Sequence, residues 1–134
     1  MADEESSPVD LSFSSHIGVD MRGRDLRGAD LRRAILDSAD LSEVDLSGAD
    51  LTNASLKGTI LKKAALDGAC LEGADCRKAN FSLSNLQGAR LARADMRGIR
   101  GRYAVWRDAN WWDARMDDGL RNALKKKWPR DEQA

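Results

Sequence analysis

The chain has 134 residues, and 22 Lys plus Arg balance 22 Asp plus Glu to give zero net charge. That length supports one domain with a real core. No apolar run approaches the roughly eighteen residues of a membrane span, and one histidine with two cysteines offers no zinc-ligand spacing.

Residues 1–8 are polar and acidic and read as a flexible N-terminal tail. The start, Met1-Ala2-Asp3-Glu4-Glu5, has no hydrophobic segment, so a secretory signal is not expected and a cytoplasmic location is. Val9-Asp10-Leu11 opens a five-residue register. Ser14-Ser15-His16 breaks its motif, and Arg24-Asp25-Leu26 places an awkward Arg at a small-residue site. An irregular first coil is therefore expected, shielding the core and blunting an open edge.

From Leu26 to Met96 every fifth residue is a centre, almost always leucine. Two residues before most centres stands alanine, and a polar residue, most often Asp, lies between. The unit is Ala-Asp-Leu-x-x. On an α-helix a period of five turns the leucines by a net 140° or so per repeat, which smears them around the surface. On a continuous strand an odd period throws them to alternate faces. A chain that turns a corner every five residues keeps leucine and alanine inward and the other three residues outward. Stacked coils of that kind rise about 4.8 Å each, the strand–strand spacing.

The tandem Ala-Asp-Leu-x-x units of residues 9–118 resemble the pentapeptide-repeat family. The resemblance implies an all-β fold, a right-handed quadrilateral β-helix with twenty residues per coil. Residues twenty apart then stack. One face carries the core ladder Leu31, Leu51, Leu71 and Leu91, the second Leu36, Leu56, Cys76 and Met96. The third carries Met21, Leu41, Leu61 and Phe81, the fourth Leu26, Leu46, Leu66 and Leu86. Glycine recurs two residues after the centre, where a type II turn needs positive φ. On the fourth face Gly28, Gly48, Gly68 and Gly88 form a column. No proline falls inside the repeat, as a hydrogen-bonded stack requires.

After Gly98 the register survives while its residues grow bulky: the centres become Gly101, Trp106, Trp111 and Met116. This is read as a last coil plugged from below. Leu120, Ala123, Leu124 and Trp128 have helical spacing, which predicts a capping α-helix over 119–128 with Asp117 or Asp118 as N-cap and Lys125–Lys127 at the C-terminal dipole. Residues 129–134 form a C-terminal tail.

Little in the chain invites catalysis. His16 reads as a structural or surface group. Cys76 occupies a core centre, where free cysteine acts as a small hydrophobe. Cys70 faces outward, so a disulfide between the two is not expected. The aspartates stack in like-charge columns that must be solvated, bonded to turns or paired, with Arg22, Arg27, Arg32 and Arg33 as available partners. No nucleophile–base pair or phosphate-binding glycine loop is present, so no enzyme, cofactor or metal is expected.

Charge is distributed unevenly. Residues 1–60 hold twelve acids and six bases, and residues 61–134 hold ten and sixteen. A solenoid turns this into an acidic upper end and a basic lower end. Arg97, Arg100, Arg102, Tyr103, Arg107 and Trp112 form the candidate interaction surface, since arginine and aromatic residues compose binding hot spots. The competing reading consumes the aromatics in the cap. The functional expectation is a noncatalytic binding or scaffold protein that meets a protein partner, or a second copy, through its C-terminal end. Nucleic acid is a lesser option for the basic end. The resemblance also implies an alternative: some family members mimic B-form DNA, bind DNA gyrase and protect against quinolones. That mimicry requires a strongly negative rod, which a neutral chain does not supply.

Overall fold

A computed structural model describes residues 8–130. The expected tail therefore lies outside the described residues except for Pro8, as do residues 131–134. From Asp10 onward the chain winds as a four-sided coil. Parallel bridges join residues twenty apart, from Asp10↔Asp30 to Asp95↔Arg115, so each face carries one bridge per coil. Five coils span residues 9–108, and a partial sixth leads into the helix. Centres and small positions point inward as the period requires: Leu31, Leu46, Leu51, Leu66, Leu71 and Leu91 are fully buried, and so are the alanines around them. At roughly 1.5–3 kcal/mol per buried leucine, this column is the main favourable term. No described helix is long and apolar enough to cross a membrane.

One pentad explains the composition of all. In Ala49–Asn53, Ala49 N–H donates to Leu46 across the corner, and Asp50 N–H donates upward to Ala29. Leu51 and Asn53 donate downward to Cys70 and Glu72. The fifth donor, Thr52 N–H, has no backbone partner and is taken by the Asp50 carboxylate at 3.0 Å. The same bond recurs from Ser12 to Asp10, Arg22 to Asp20, Ser82 to Asn80 and Arg97 to Asp95. Asp and Asn precede the centre because a short acceptor there completes the backbone hydrogen bonding.

The corner conformation is more general than the glycines imply. The residue two after the centre takes positive φ in every regular pentad. Gly88 does so at 68°, but Phe13, Leu83 and Tyr103 do so as well, at 59°, 63° and 63°. Ladder bonds on both sides of the corner hold these side-chain-bearing residues in the left-handed region.

The first coil is less irregular than its sequence. Ser15 bridges Ile35, and His16 N–H donates to Ile35 in the normal ladder. Only side chains depart from the pattern. His16 sits half-buried at a centre with its Nε2 at 2.8 Å from Ser14 Oγ, while Phe13 and Ile17 are 71% and 62% exposed. The backbone ladder, not the motif, decides the coil.

At the lower end the register is disturbed by a 3₁₀ turn, Trp111–Asp113. The Asn110 side chain stands in for a backbone carbonyl and accepts Leu91 N–H at 2.6 Å. Helix α1 runs Asp118–Lys127, one residue earlier than expected at each end. Its N-cap is Asp117, but the Asp117 carboxylate makes no bond to the helix. It accepts Gly98 N–H at 2.8 Å instead, closing a ladder position that no sixth-coil carbonyl reaches. Leu124 packs on the core, with Leu120 and Trp128 partly buried beside it. Lys125, Lys126 and Lys127 occupy the last turn as expected.

Candidate functional site

The structure separates the residues of the expected interaction surface. Arg97 lies on the second face and is engaged there: its Nε and Nη2 donate to both oxygens of Asp95, at 2.9 and 2.6 Å. Arg107 stacks over Trp128, with its guanidinium carbon 5.8 Å from the ring centre. Trp112 is half-buried, edge-on to Trp111 at 5.8 Å, and covered by Arg130 at 5.1 Å. Trp106 and Trp111 are buried, and Trp111 Nε1 donates to the Trp128 carbonyl at 2.9 Å. The tryptophans close the solenoid. A groove of about 460 Å³ remains between them and the end of α1, lined by Trp112, Arg107 and Arg130 among others.

Arg100, Arg102 and Tyr103 remain together on the third face. Arg102 lies over the Tyr103 ring at 5.8 Å, and the ring is 70% exposed. Column stacking adds Lys62 two coils above Arg102, Lys63 above Leu83, and Leu83 above Tyr103. Leu83 is 48% exposed. Lys78 stands at the neighbouring corner, beside Gly98. Sequence reasoning missed Lys62, Lys63, Lys78 and Leu83, although the twenty-residue stacking contained the signal. The three pentads Thr59–Lys63, Ala79–Leu83 and Ile99–Tyr103 hold no acid. Lys62, Lys78, Asn80 and Arg100 line a shallow groove of about 420 Å³ floored by Ile60, Gly58 and Gly98.

This cluster differs electrostatically from the charge elsewhere on the rod. Arg22, Arg27, Arg32, Arg77 and Arg97 each clamp the Asp two residues before them. Arg33, expected as a further partner, stands at a corner and pairs with none of the described acids. Among the described residues no ion pair reaches Lys62, Lys63, Lys78, Arg100 or Arg102. The upper part of the same face carries Asp20, Asp40 and Glu43. The third face is therefore acidic above and basic below.

The clamps shift their acids. Hydrogen bonds from the side chains of Arg22, Arg27 and Arg32, then from the same residues' backbone N–H groups, hold Asp20, Asp25 and Asp30 down at about 2. A folded-state pKa below the unfolded value of about 3.9 contributes stability that is present above pH 4 or so and is lost as pH falls through 2. Melting temperature is accordingly expected to fall between about pH 4 and pH 2, and less steeply at high salt. A flat profile in circular-dichroism melts across that window would refute these clamps.

Burial pushes the Cys76 thiol far up, so it carries no thiolate. Cys70 is half-buried, with its sulfur 3.2 Å from Thr52 Oγ1. No group of three or more His, Cys, Asp and Glu among the described residues is arranged to hold a metal ion.

The family model described as pentapeptide repeats matches in eight copies, over residues 9–42, 39–75 and 59–98. A search against curated proteins finds no match. Among solved structures, a pentapeptide repeat protein of the Arabidopsis thaliana thylakoid lumen is 32% identical, with a TM-score of 0.78, covering 81% of this chain and 76% of that one. A pentapeptide repeat protein from Nostoc PCC 7120 is 27% identical, with a TM-score of 0.52, covering 87% of this chain and 91% of that one. QnrB1, a plasmid-mediated fluoroquinolone resistance protein, is 20% identical, with a TM-score of 0.61, and the match covers 90% of this chain and 64% of that one. At that identity the likeness to QnrB1 is one of fold alone.

Proposed function

Because the chain belongs to the pentapeptide-repeat family, whose fold supplies a rigid rod and no reactive centre, we propose that it is a noncatalytic binding protein that engages an acidic partner through the lower half of its third face. One observation carries this reading: Lys62, Lys63, Lys78, Arg100 and Arg102 gather free of ion pairs among the described residues around exposed Leu83 and Tyr103, whereas Arg22, Arg27, Arg32, Arg77 and Arg97 are clamped. A cation already paired has little attraction left for a partner, and a free cluster retains all of it. The tryptophans offer less to a partner, since Trp106 and Trp111 are committed to the cap and Trp112 and Trp128 are partly buried against it. The DNA-mimic alternative gains no support, because the free charge on this face has the wrong sign for imitating phosphates.

Retention on a sulfated polysaccharide column tests the proposal. The chain has no net charge, so retention must come from a local patch. Lys62→Glu with Arg102→Glu is expected to abolish retention near neutral pH. Lys125→Glu with Lys126→Glu alters net charge equally but lies on α1, and it should leave most retention in place. Equal losses in the two variants would overturn the assignment.

A further inference from the structure

Resting on the acidic-partner reading above, we propose that the lower third face is a short binding site for single-stranded nucleic acid, with phosphates held by the free cations and a base stacked on Tyr103. Three features of the face narrow the ligand to this class.

The first is its shape. A coil side is a short strand segment, so the face is on the order of 10 Å wide, and the cations from Lys62 down to Arg102 occupy two coil steps, roughly 10 Å. A protein interface of ordinary size buries about 800 Å² per partner. One narrow flat side of a rod falls well short of that. A linear polyanion needs no such area, because charge neutralisation and counterion release drive its binding.

The second is the arrangement of donors. Lys62, Lys78 and Arg100 converge on the shallow groove with no acid in its lining. Asn80 lines it too; its carboxamide oxygen accepts Ser82 N–H at 3.0 Å, and its amide NH₂ has no partner among the described residues. Gly58 and Gly98 keep the groove floor low on either side of Lys78. The carboxylate stacked one coil above Ile60 is that of Asp40, and it accepts Ser42 N–H and Oγ–H at 3.0 and 2.6 Å; the carboxylate of Asp117 is taken up by Gly98 N–H. The site is thus a set of outward donors without a competing acceptor, which suits oxyanions.

The third is Tyr103. Positive φ at the corner throws this ring out from the coil; Arg102 lies over it at 5.8 Å, and the ring is still 70% exposed, so a base can stack on the face the guanidinium does not cover. A base has a π face for such a platform, and stacking of this kind is sequence-tolerant. A duplex hides its base faces and leaves Tyr103 and Leu83 with nothing to meet. An acidic peptide supplies charge without a π face.

The experiment uses the full chain, a fluorescent thymidine dodecamer and a fluorescent glutamate dodecamer, read by anisotropy at about 50 and about 200 mM salt. With three to five phosphates neutralised, the slope of log affinity on log salt is about −2 to −3.5, a loss of about 20- to 130-fold between the two conditions. Tyr103→Ala is expected to weaken the oligonucleotide about 5- to 100-fold while leaving the salt slope unchanged. Lys62→Glu with Arg102→Glu should flatten the slope, and Lys125→Glu with Lys126→Glu should leave it as it is. Equal binding of both dodecamers with no effect of Tyr103→Ala overturns the nucleic-acid assignment and leaves the acidic-partner reading standing. Failure of both dodecamers to bind at about 100 μM protein in low salt overturns the two together.

Discussion

Trp106→Ala is expected to destabilise the protein by about 3–5 kcal/mol, the range for emptying a buried aromatic site. Trp106 is one of two tryptophans in the core and closes the fourth-face column beneath Leu86. It also spans the interior. The third-face centre at this level is Gly101, and a Cβ built there would lie 3.5 Å from the Trp106 ring. One indole therefore fills the space of two leucines. This makes a compensating change identifiable: Gly101→Leu alone should overpack by about 1–3 kcal/mol, yet in the Trp106→Ala background it should recover part of the loss. Urea denaturation of the four proteins measures the coupling, expected at about 0.5–3 kcal/mol for residues in contact. Additive effects would show that the two positions do not share a cavity.

Leu51→Ala is expected to cost about 2–5 kcal/mol. Leu51 is fully buried in the first-face ladder between Leu31 and Leu71. Its consequence differs from that of Trp106→Ala because each coil of a solenoid contacts only its neighbours. A void at Leu51 weakens the coupling between the upper and lower coils. A void at Trp106 weakens one end. Hydrogen exchange should show lost protection on both sides of residue 51 in the first case, and losses concentrated after residue 90 or so in the second. Leu83→Ala, at an exposed corner, is the control and should change stability by less than about 0.5 kcal/mol. A comparable loss at Leu51 and Leu83 would contradict the inward and outward assignment.

A chain that turns a corner every five residues could be read from the period, which is incompatible with both a helix and a continuous strand; the inward leucines, the small alanines and the terminal helix follow from spacing. The four-sided coil that stacks Leu31 to Leu91 in one ladder was what the family resemblance implied. What spacing could not reveal were bonds between residues brought together only by winding. Asp117 has the sequence signature of a helix cap, but it serves Gly98, nineteen residues away. Asn110 replaces a carbonyl for Leu91 across a similar gap. The role of the recurrent Asp was hidden for another reason: it depends on counting backbone donors, and only the coil shows that the residue after each centre is left over.

The candidate site was legible only in part. Arg100, Arg102 and Tyr103 could be named from composition, and so were Arg97, Arg107 and Trp112, which lie elsewhere and are otherwise engaged. A basic run along the chain mixes residues from all four sides. Lys62, forty residues before Arg102, belongs to the cluster although it lies far from it in sequence.

The twenty-residue winding also constrains how such a chain can change length. Inserting one whole coil keeps every column in phase. Inserting a single pentad preserves the packing rule at each position yet turns everything below it by a quarter revolution. Lys62 and Lys63 would then no longer share a side with Arg100 and Arg102 if the insertion fell between them. The interior would tolerate that change and the exterior pattern would not, so gains and losses of sequence in this rod are quantised in fives for folding and in twenties for recognition.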